Sequence, residues 1–165
     1  MRTSLETQIG SILRDRGLKL ALAESCTGGL VGNRITDIPG SSEYFLGGVV
    51  AYAYEAKVDL LGVSWDTLNS TGAVSRETVI EMARGARNAL NADIAVSVSG
   101  IAGPDGGTSE KPVGTTWIGL AAKDGEWAWV FQFSGDRVQN KAYAAEAALQ
   151  MLLDYLQGRG VGSSA

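Results

Sequence analysis

Apolar positions follow two rhythms along the chain, one helical and one of short continuous or alternating runs. Leu5, Ile9, Ile12 and Leu13 recur at helical spacing behind Thr3 and Glu6, which fit a capping box, and Gly17 closes that helix. Residues 18–23 form a short apolar run suited to a buried strand. Glu24-Ser25-Cys26-Thr27-Gly28-Gly29 then turns the chain into a helix over 30–36, which Pro39-Gly40 breaks. Residues 45–54 read as a second strand and 55–61 as a short helix with Lys57 in its first turn. Ser75 can cap a helix carrying Val79, Met82, Ala83, Ala86 and Leu90. A third strand covers 92–99, and a long glycine-rich loop covers 100–112. Residues 114–122 and 127–133 form a hairpin around Asp124-Gly125. In its second arm Trp127, Trp129, Phe131 and Phe133 alternate, so that strand is expected to bury one face. Asp136 can cap a last helix to about residue 156, and 158–165 is expected to be a frayed tail. Helices and strands intermingle without repeat, linker or charge block. The pattern predicts one domain over 1–165, a three-layer α/β fold with a mixed sheet.

Composition narrows the chemistry. The 165 residues are enough to bury a core without covalent staples. Fourteen Lys and Arg against eighteen Asp and Glu leave a net charge of −4, which argues against a nucleic-acid partner. The chain has no histidine, which removes Ser-His-Asp and Cys-His catalysis and histidine-ligated metals. Its single cysteine excludes an internal disulfide and a cysteine-rich zinc site. No run approaches the ~18 apolar residues of a membrane span. Met1 to Glu6 lacks the apolar core of a secretory signal, so a soluble, cytoplasmic protein with no membrane partner is expected. Glycine is the outlier, its 22 residues being about twice the usual ~7%.

The glycines cluster where a ligand could approach backbone. At Ser25 to Gly29 a strand-to-helix turn places hydroxyls beside helix N–H groups, which favour an oxyanion or phosphate. The plainer alternative is that Ser25 or Thr27 merely caps a helix. The flanking residues match neither a G-x-S-x-G elbow nor a Walker A loop. The second cluster, Ser99-Gly100-Ile101-Ala102-Gly103-Pro104-Asp105-Gly106-Gly107-Thr108, follows a buried strand, where open α/β sheets bind ligands; the alternative is an ordinary surface loop. Lys57 is either a solvated surface lysine or a desolvated base beside positive dipoles. Arg137 and Lys141, one helical turn apart, form either a phosphate clamp or a solvated face. Cys26 ranks below Ser25 as a nucleophile because nothing is at hand to activate it. Without histidine, a Ser/Lys pair is the main nucleophile–base combination left. Ser25 and Lys57 both follow strands that, if parallel, end on the same edge of the sheet.

Glu24-Ser25-Cys26-Thr27-Gly28-Gly29, Pro39-Gly40-Ser41-Ser42, Tyr52 with Lys57 five residues on, and Ser99 to Pro104 through Gly106-Gly107 occur here in one order. In this the chain resembles the CinA C-terminal domain family over roughly residues 5–156. Stand-alone members of that family are nicotinamide-nucleotide amidases. The resemblance implies a three-layer α/β/α sandwich and hydrolysis of the carboxamide of nicotinamide mononucleotide to nicotinate mononucleotide and ammonia, a step of NAD salvage. It implies a Ser/Lys mechanism without metal or cofactor, with Ser25 and Lys57 as the dyad and Tyr52 and Ser42 assisting. Amides near Thr27, Gly28 and Gly29 would hold the oxyanion. The loop at Gly100, Ala102 and Gly103 would bind the nucleotide; Arg137, in Gly135-Asp136-Arg137, also fits the family, and its placement on the phosphate is an inference added to the resemblance. A stand-alone enzyme, assembled as a homodimer, is expected. Where the family often has Ser-Asn between the tyrosine and the lysine, this chain has Ala53-Tyr54. The competing readings are a non-catalytic nucleotide-binding module and a competence-related protein-interaction domain.

Overall fold

The computed structural model describes residues 3–161. In chain order the elements are α1 (Leu5–Arg16), β1 (Leu20–Glu24), α2 (Leu30–Thr36), a 3-10 turn (Ser41–Glu43), β2 (Phe45–Val50), α3 (Tyr54–Leu61), α4 (Trp65–Thr71), α5 (Arg76–Ala89), β3 (Ile94–Gly100), β4 (Thr115–Ala122), β5 (Gly125–Gln132) and α6 (Arg137–Leu156). The sheet order is β2-β1-β3-β4-β5. β1 runs parallel to both β2 and β3, whereas β4 is antiparallel to β3 and β5 is antiparallel to β4. This is the mixed α/β sandwich that the sequence pattern predicts.

The two helical layers follow from alternation within β1. Leu20 and Leu22 face one side, with Val96, Val98, Ile118 and Leu120, and pack on Ile9 and Leu13 of α1, Val31 and Ile35 of α2, and the apolar stripe of α6. Ala21 and Ala23 face the other side with Ala95, against Leu61, Leu68, Met82 and Ala86 of α3, α4 and α5. Small residues on that face let α5 sit close to the sheet. A Cβ at Gly119 of β4 would stand 2.5 Å from the Val79 carbonyl oxygen of α5. Farther out, a Cβ at Gly85 of α5 would stand 1.9 Å from the Leu61 carbonyl oxygen. α3 and α5 therefore touch backbone to backbone, which fixes where α3 ends.

Several boundaries differ from the sequence pattern. The N-cap of α1 is Ser4 rather than Thr3, and its Oγ accepts from the Thr7 amide at 3.2 Å. β2 stops at Val50 because the Ala51 amide turns to bond the Glu24 carbonyl at the end of β1. α4 is an additional helix. The aromatic stripe of β5 is only partly covered: Trp127, Phe131 and Phe133 pack on the α6 side, but Trp129 is 45% exposed on this edge strand. The Arg159 amide bonds the Asp154 carbonyl at 2.9 Å and Val161 packs on the core, while 162–165 lie outside the described residues.

Candidate active site

The chemistry gathers at the carboxyl ends of the three parallel strands. Ser25 follows β1 directly, and its amide donates to the Val98 carbonyl of β3 at 2.9 Å. The pairing of Glu24 with Val50 brings the end of β2 alongside. After three intervening residues α3 begins, and Lys57 in its first turn folds back toward the sheet. Its Nζ lies 3.0 Å from Ser25 Oγ, 2.7 Å from the Ala51 carbonyl oxygen and 3.2 Å from the Tyr52 carbonyl oxygen. Lys57 is 1% exposed and Ser25 is 8% exposed. The solvated-lysine alternative is therefore wrong.

No carboxylate compensates the Lys57 charge. Glu24 lies one residue from Ser25, but its carboxylate accepts from Thr27 Oγ1 at 2.6 Å and from the Val31 and Gly32 amides at 2.9 and 3.0 Å. It is committed to the start of α2. Burial accordingly lowers the Lys57 pKa from an ordinary 10.5 to about 8, with only a small opposing contribution from Cys26. At pH 7 about a tenth of the molecules carry it neutral. A neutral amine has two N–H groups and one lone pair. Protonated, Nζ donates to Ser25 Oγ and to both carbonyls; once it is neutral, with its two N–H groups on the Ala51 and Tyr52 carbonyls, its lone pair can face the Ser25 hydroxyl proton. Cys26 is the reverse case: burial pushes its thiol up to about 11, so it remains protonated and unreactive.

The turn that presents Ser25 depends on glycine. Gly28 and Gly29 have φ of 60° and 101°, and the Gly28 amide bonds the Ser25 carbonyl at 3.0 Å. Thr27 contributes its hydroxyl to Glu24, not to a ligand. The amides of Thr27 and Gly29 have no acceptor within the described residues.

The glycine-rich loop closes the other side. Arg137, the first residue of α6, donates through Nη1 to the Gly103 carbonyl at 2.6 Å and through Nη2 to Tyr52 Oη at 2.9 Å. Asn140, 2% exposed, donates to the Ala102 carbonyl at 3.0 Å, and its Oδ1 accepts from the Gly135 amide. Arg137 is exposed, yet it ties the loop to Tyr52 through these two bonds. Lys141, one turn on, places its Nζ 3.9 Å from where a Gly28 Cβ would stand.

A family profile described as the CinA C-terminal domain matches residues 2–156. The chain belongs to that family. It is 54% identical over 150 residues to a nicotinamide-nucleotide amidohydrolase, PncC, of Enterobacter agglomerans, with 90% of this chain and 92% of that protein covered. It is 51% identical to a CinA-like protein of Chlorobium limicola over 94% of this chain. The chain spans only 37% of that relative's length, and 38% of a Halothermothrix orenii relative that is 56% identical. The crystal structure of the competence/damage inducible protein CihA from Agrobacterium tumefaciens superposes with a TM-score of 0.90 at 40% identity, 93% of each chain being covered.

Of the residues suggested by resemblance to CinA domains, Ser25, Lys57, Tyr52, Thr27, Gly28, Gly29, Gly100, Ala102, Gly103 and Arg137 all lie at this one edge. Ser42 does not. It is exposed in the 3-10 turn that precedes β2, where the Tyr44 carbonyl accepts from Leu20 at the start of β1. Ser25 follows the far end of the same strand, roughly 13 Å away or more at the rise of an extended chain. Ser42 is therefore no part of this chain's Ser25–Lys57 cluster. Glu24 opens the turn motif without a role assigned to it, and Asn140 was not singled out. The signals for them are a lone carboxylate in an apolar strand and a polar residue one turn beyond Arg137. No group of three or more Cys, Asp or Glu residues positioned to hold a metal ion occurs among the described residues.

Proposed function

We propose that this chain is a serine amidase that hydrolyses the carboxamide of nicotinamide mononucleotide to nicotinate mononucleotide and ammonia, in NAD salvage. The observation that carries the reading is the 3.0 Å contact between Ser25 Oγ and a buried, carboxylate-free Lys57. The name of the Enterobacter agglomerans relative supplies the substrate. Lys57 takes the Ser25 proton as Oγ attacks the amide carbon. The carbonyl oxygen becomes an oxyanion facing the Thr27 and Gly29 amides, and one such donor is worth about 3–4 kcal/mol. Collapse breaks the C–N bond. Lys57 passes its proton to the nitrogen, which leaves as ammonia, and Ser25 is left as an acyl ester. Water attacks the ester, Lys57 accepts its proton, and that proton returns to Ser25 as the acid departs. Tyr52 and Arg137 hold the loop from Gly100 to Gly103 against the nucleotide.

Residues 1–165 act as one amidase domain, without cofactor, in the cytoplasm, as a homodimer. No helix among the described residues is long and apolar enough to cross a membrane. The test is ammonia release from nicotinamide mononucleotide in the presence of EDTA, with Ser25→Ala in parallel. Wild-type turnover that falls by about a thousandfold or more in the variant supports the reading. Near-normal turnover in Ser25→Ala rules it out.

A further inference from the structure

The rim of the Ser25 turn carries positive charge that no carboxylate among the described residues neutralises. In a chain of net charge −4, α6 opens with Arg137 and Lys141 and has no acidic residue in its first turn. Cations at that end oppose the helix macrodipole. Neither has a carboxylate partner among the described residues. Glu24 is turned inward to α2, and Asp136 caps α6, accepting from the Gln139 amide at 2.9 Å. The two cations differ in what they do. Both terminal nitrogens of Arg137 already bond fixed acceptors, Gly103 O and Tyr52 Oη. Lys141 is half-buried, has no hydrogen bond or ion pair, and lies with its ammonium over the backbone of Gly28. Gly28 closes a tight turn on Ser25, so the ammonium lies within roughly 12 Å of the Ser25 Cα. That is within the reach of a mononucleotide whose amide carbon sits at Ser25.

Resting on the amidase reading, we infer that Lys141 is the cation that binds the substrate's phosphate, and that Arg137 is a positioning residue for the loop and Tyr52. An ammonium on a flexible stem suits a phosphate as a point charge. The ammonium lies 3.9 Å from where a Gly28 Cβ would stand, so the turn leaves it open on that side. Phosphate recognition by this route makes the site specific for the nucleotide over the nucleoside.

The test compares nicotinamide mononucleotide with nicotinamide riboside in wild type, Lys141→Met and Lys141→Arg. The ratio of kcat/KM for the mononucleotide to that for the riboside is expected to fall roughly ten- to hundredfold in Lys141→Met. The loss should lie in KM, and Lys141→Arg should restore most of it. A ratio unchanged within about twofold, or a wild type that does not discriminate the two, overturns the inference. Calorimetric binding of nicotinate mononucleotide and nicotinate riboside gives a second readout that needs no turnover. Phosphate-dependent affinity that vanishes in Lys141→Met, in a wild type that releases no ammonia, would remove the amidase reading and keep Lys141 as the phosphate site. Equal weakening of both ligands would overturn the Lys141 assignment alone.

Discussion

On the proposed mechanism Lys57, with two carbonyls and one hydroxyl around its nitrogen, is the base. Because the Lys57 pKa is lowered to about 8, kcat/KM for the amidase reaction should rise about tenfold per pH unit below about 8 and level off above it. A pH–rate profile checks this, and a profile flat between pH 6 and 8 would contradict it. Folding is linked to the same proton. Between about 8 and 10.5 the unfolded chain holds the Lys57 proton while the folded one has released it, so stability rises with pH across that window. Below about 8 both states are protonated and the burial penalty is present in full. Relative to Lys57→Met, which cannot titrate, wild type should therefore gain about 3 kcal/mol between pH 8 and 10.5, read by denaturant titration at each pH. The lack of histidine already points to this lysine in the sequence. Its burial does not show there, because a lysine in a helix's first turn looks the same whether it faces water or a strand end. Only the parallel pairing of β1 with β2 turns it inward.

At the scale of elements, α3 is the weakest-supported piece of the site. Its N-cap, Ala53, has extended φ and ψ of −84° and 160° but no side chain to accept a hydrogen bond. Ala53→Ser should add that acceptor and about 1 kcal/mol, raising Tm by roughly 2–4 °C in thermal unfolding. The other end of α3 is held by the contact at Gly85. Gly85→Ala would drive a methyl group into the Leu61 carbonyl, costing about 1–3 kcal/mol and shifting α3. A shift of about 1 Å at Lys57 is enough to lower kcat roughly a hundredfold. Loss of stability with unchanged kcat would show that α3 is anchored by the sheet instead. Most elements were legible because their apolar periods are clean. α4 was not, because its one buried residue is Leu68 among Asp66, Thr67, Asn69 and Ser70. The β5 stripe misled because strict alternation marks which side chains share a face. It does not show how completely the helical layer covers them, and Trp129, between Trp127 and Phe131, is left 45% exposed. Ser42 misled in a related way: proximity of motifs along the chain says nothing about which end of a strand each motif occupies.

Across the whole molecule, charge is arranged against its own sum. An acidic chain carries Arg137 and Lys141 at the one edge where an anionic nucleotide would enter. Such rim charges are screened within about 10 Å at 0.1 M salt. KM for nicotinamide mononucleotide should climb as salt is raised from 0.01 to 0.3 M, while KM for the riboside, which lacks the phosphate and keeps only its pyridinium charge, should not climb. Steady-state kinetics in a salt series measures both, and parallel responses would count against a local electrostatic origin.

The proposed Ser25–Lys57 pair is also divided among strands that are distant in sequence. The Ser25 amide is bonded to β3, Lys57 is bonded to the carbonyls that follow β2, and β1 lies between them. No local segment of the chain holds a working nucleophile. A refolding chain can form α6 or the β4–β5 hairpin early and still be catalytically silent. Recovered turnover would therefore time the docking of the last of three parallel strands, which makes the enzyme its own reporter of long-range assembly.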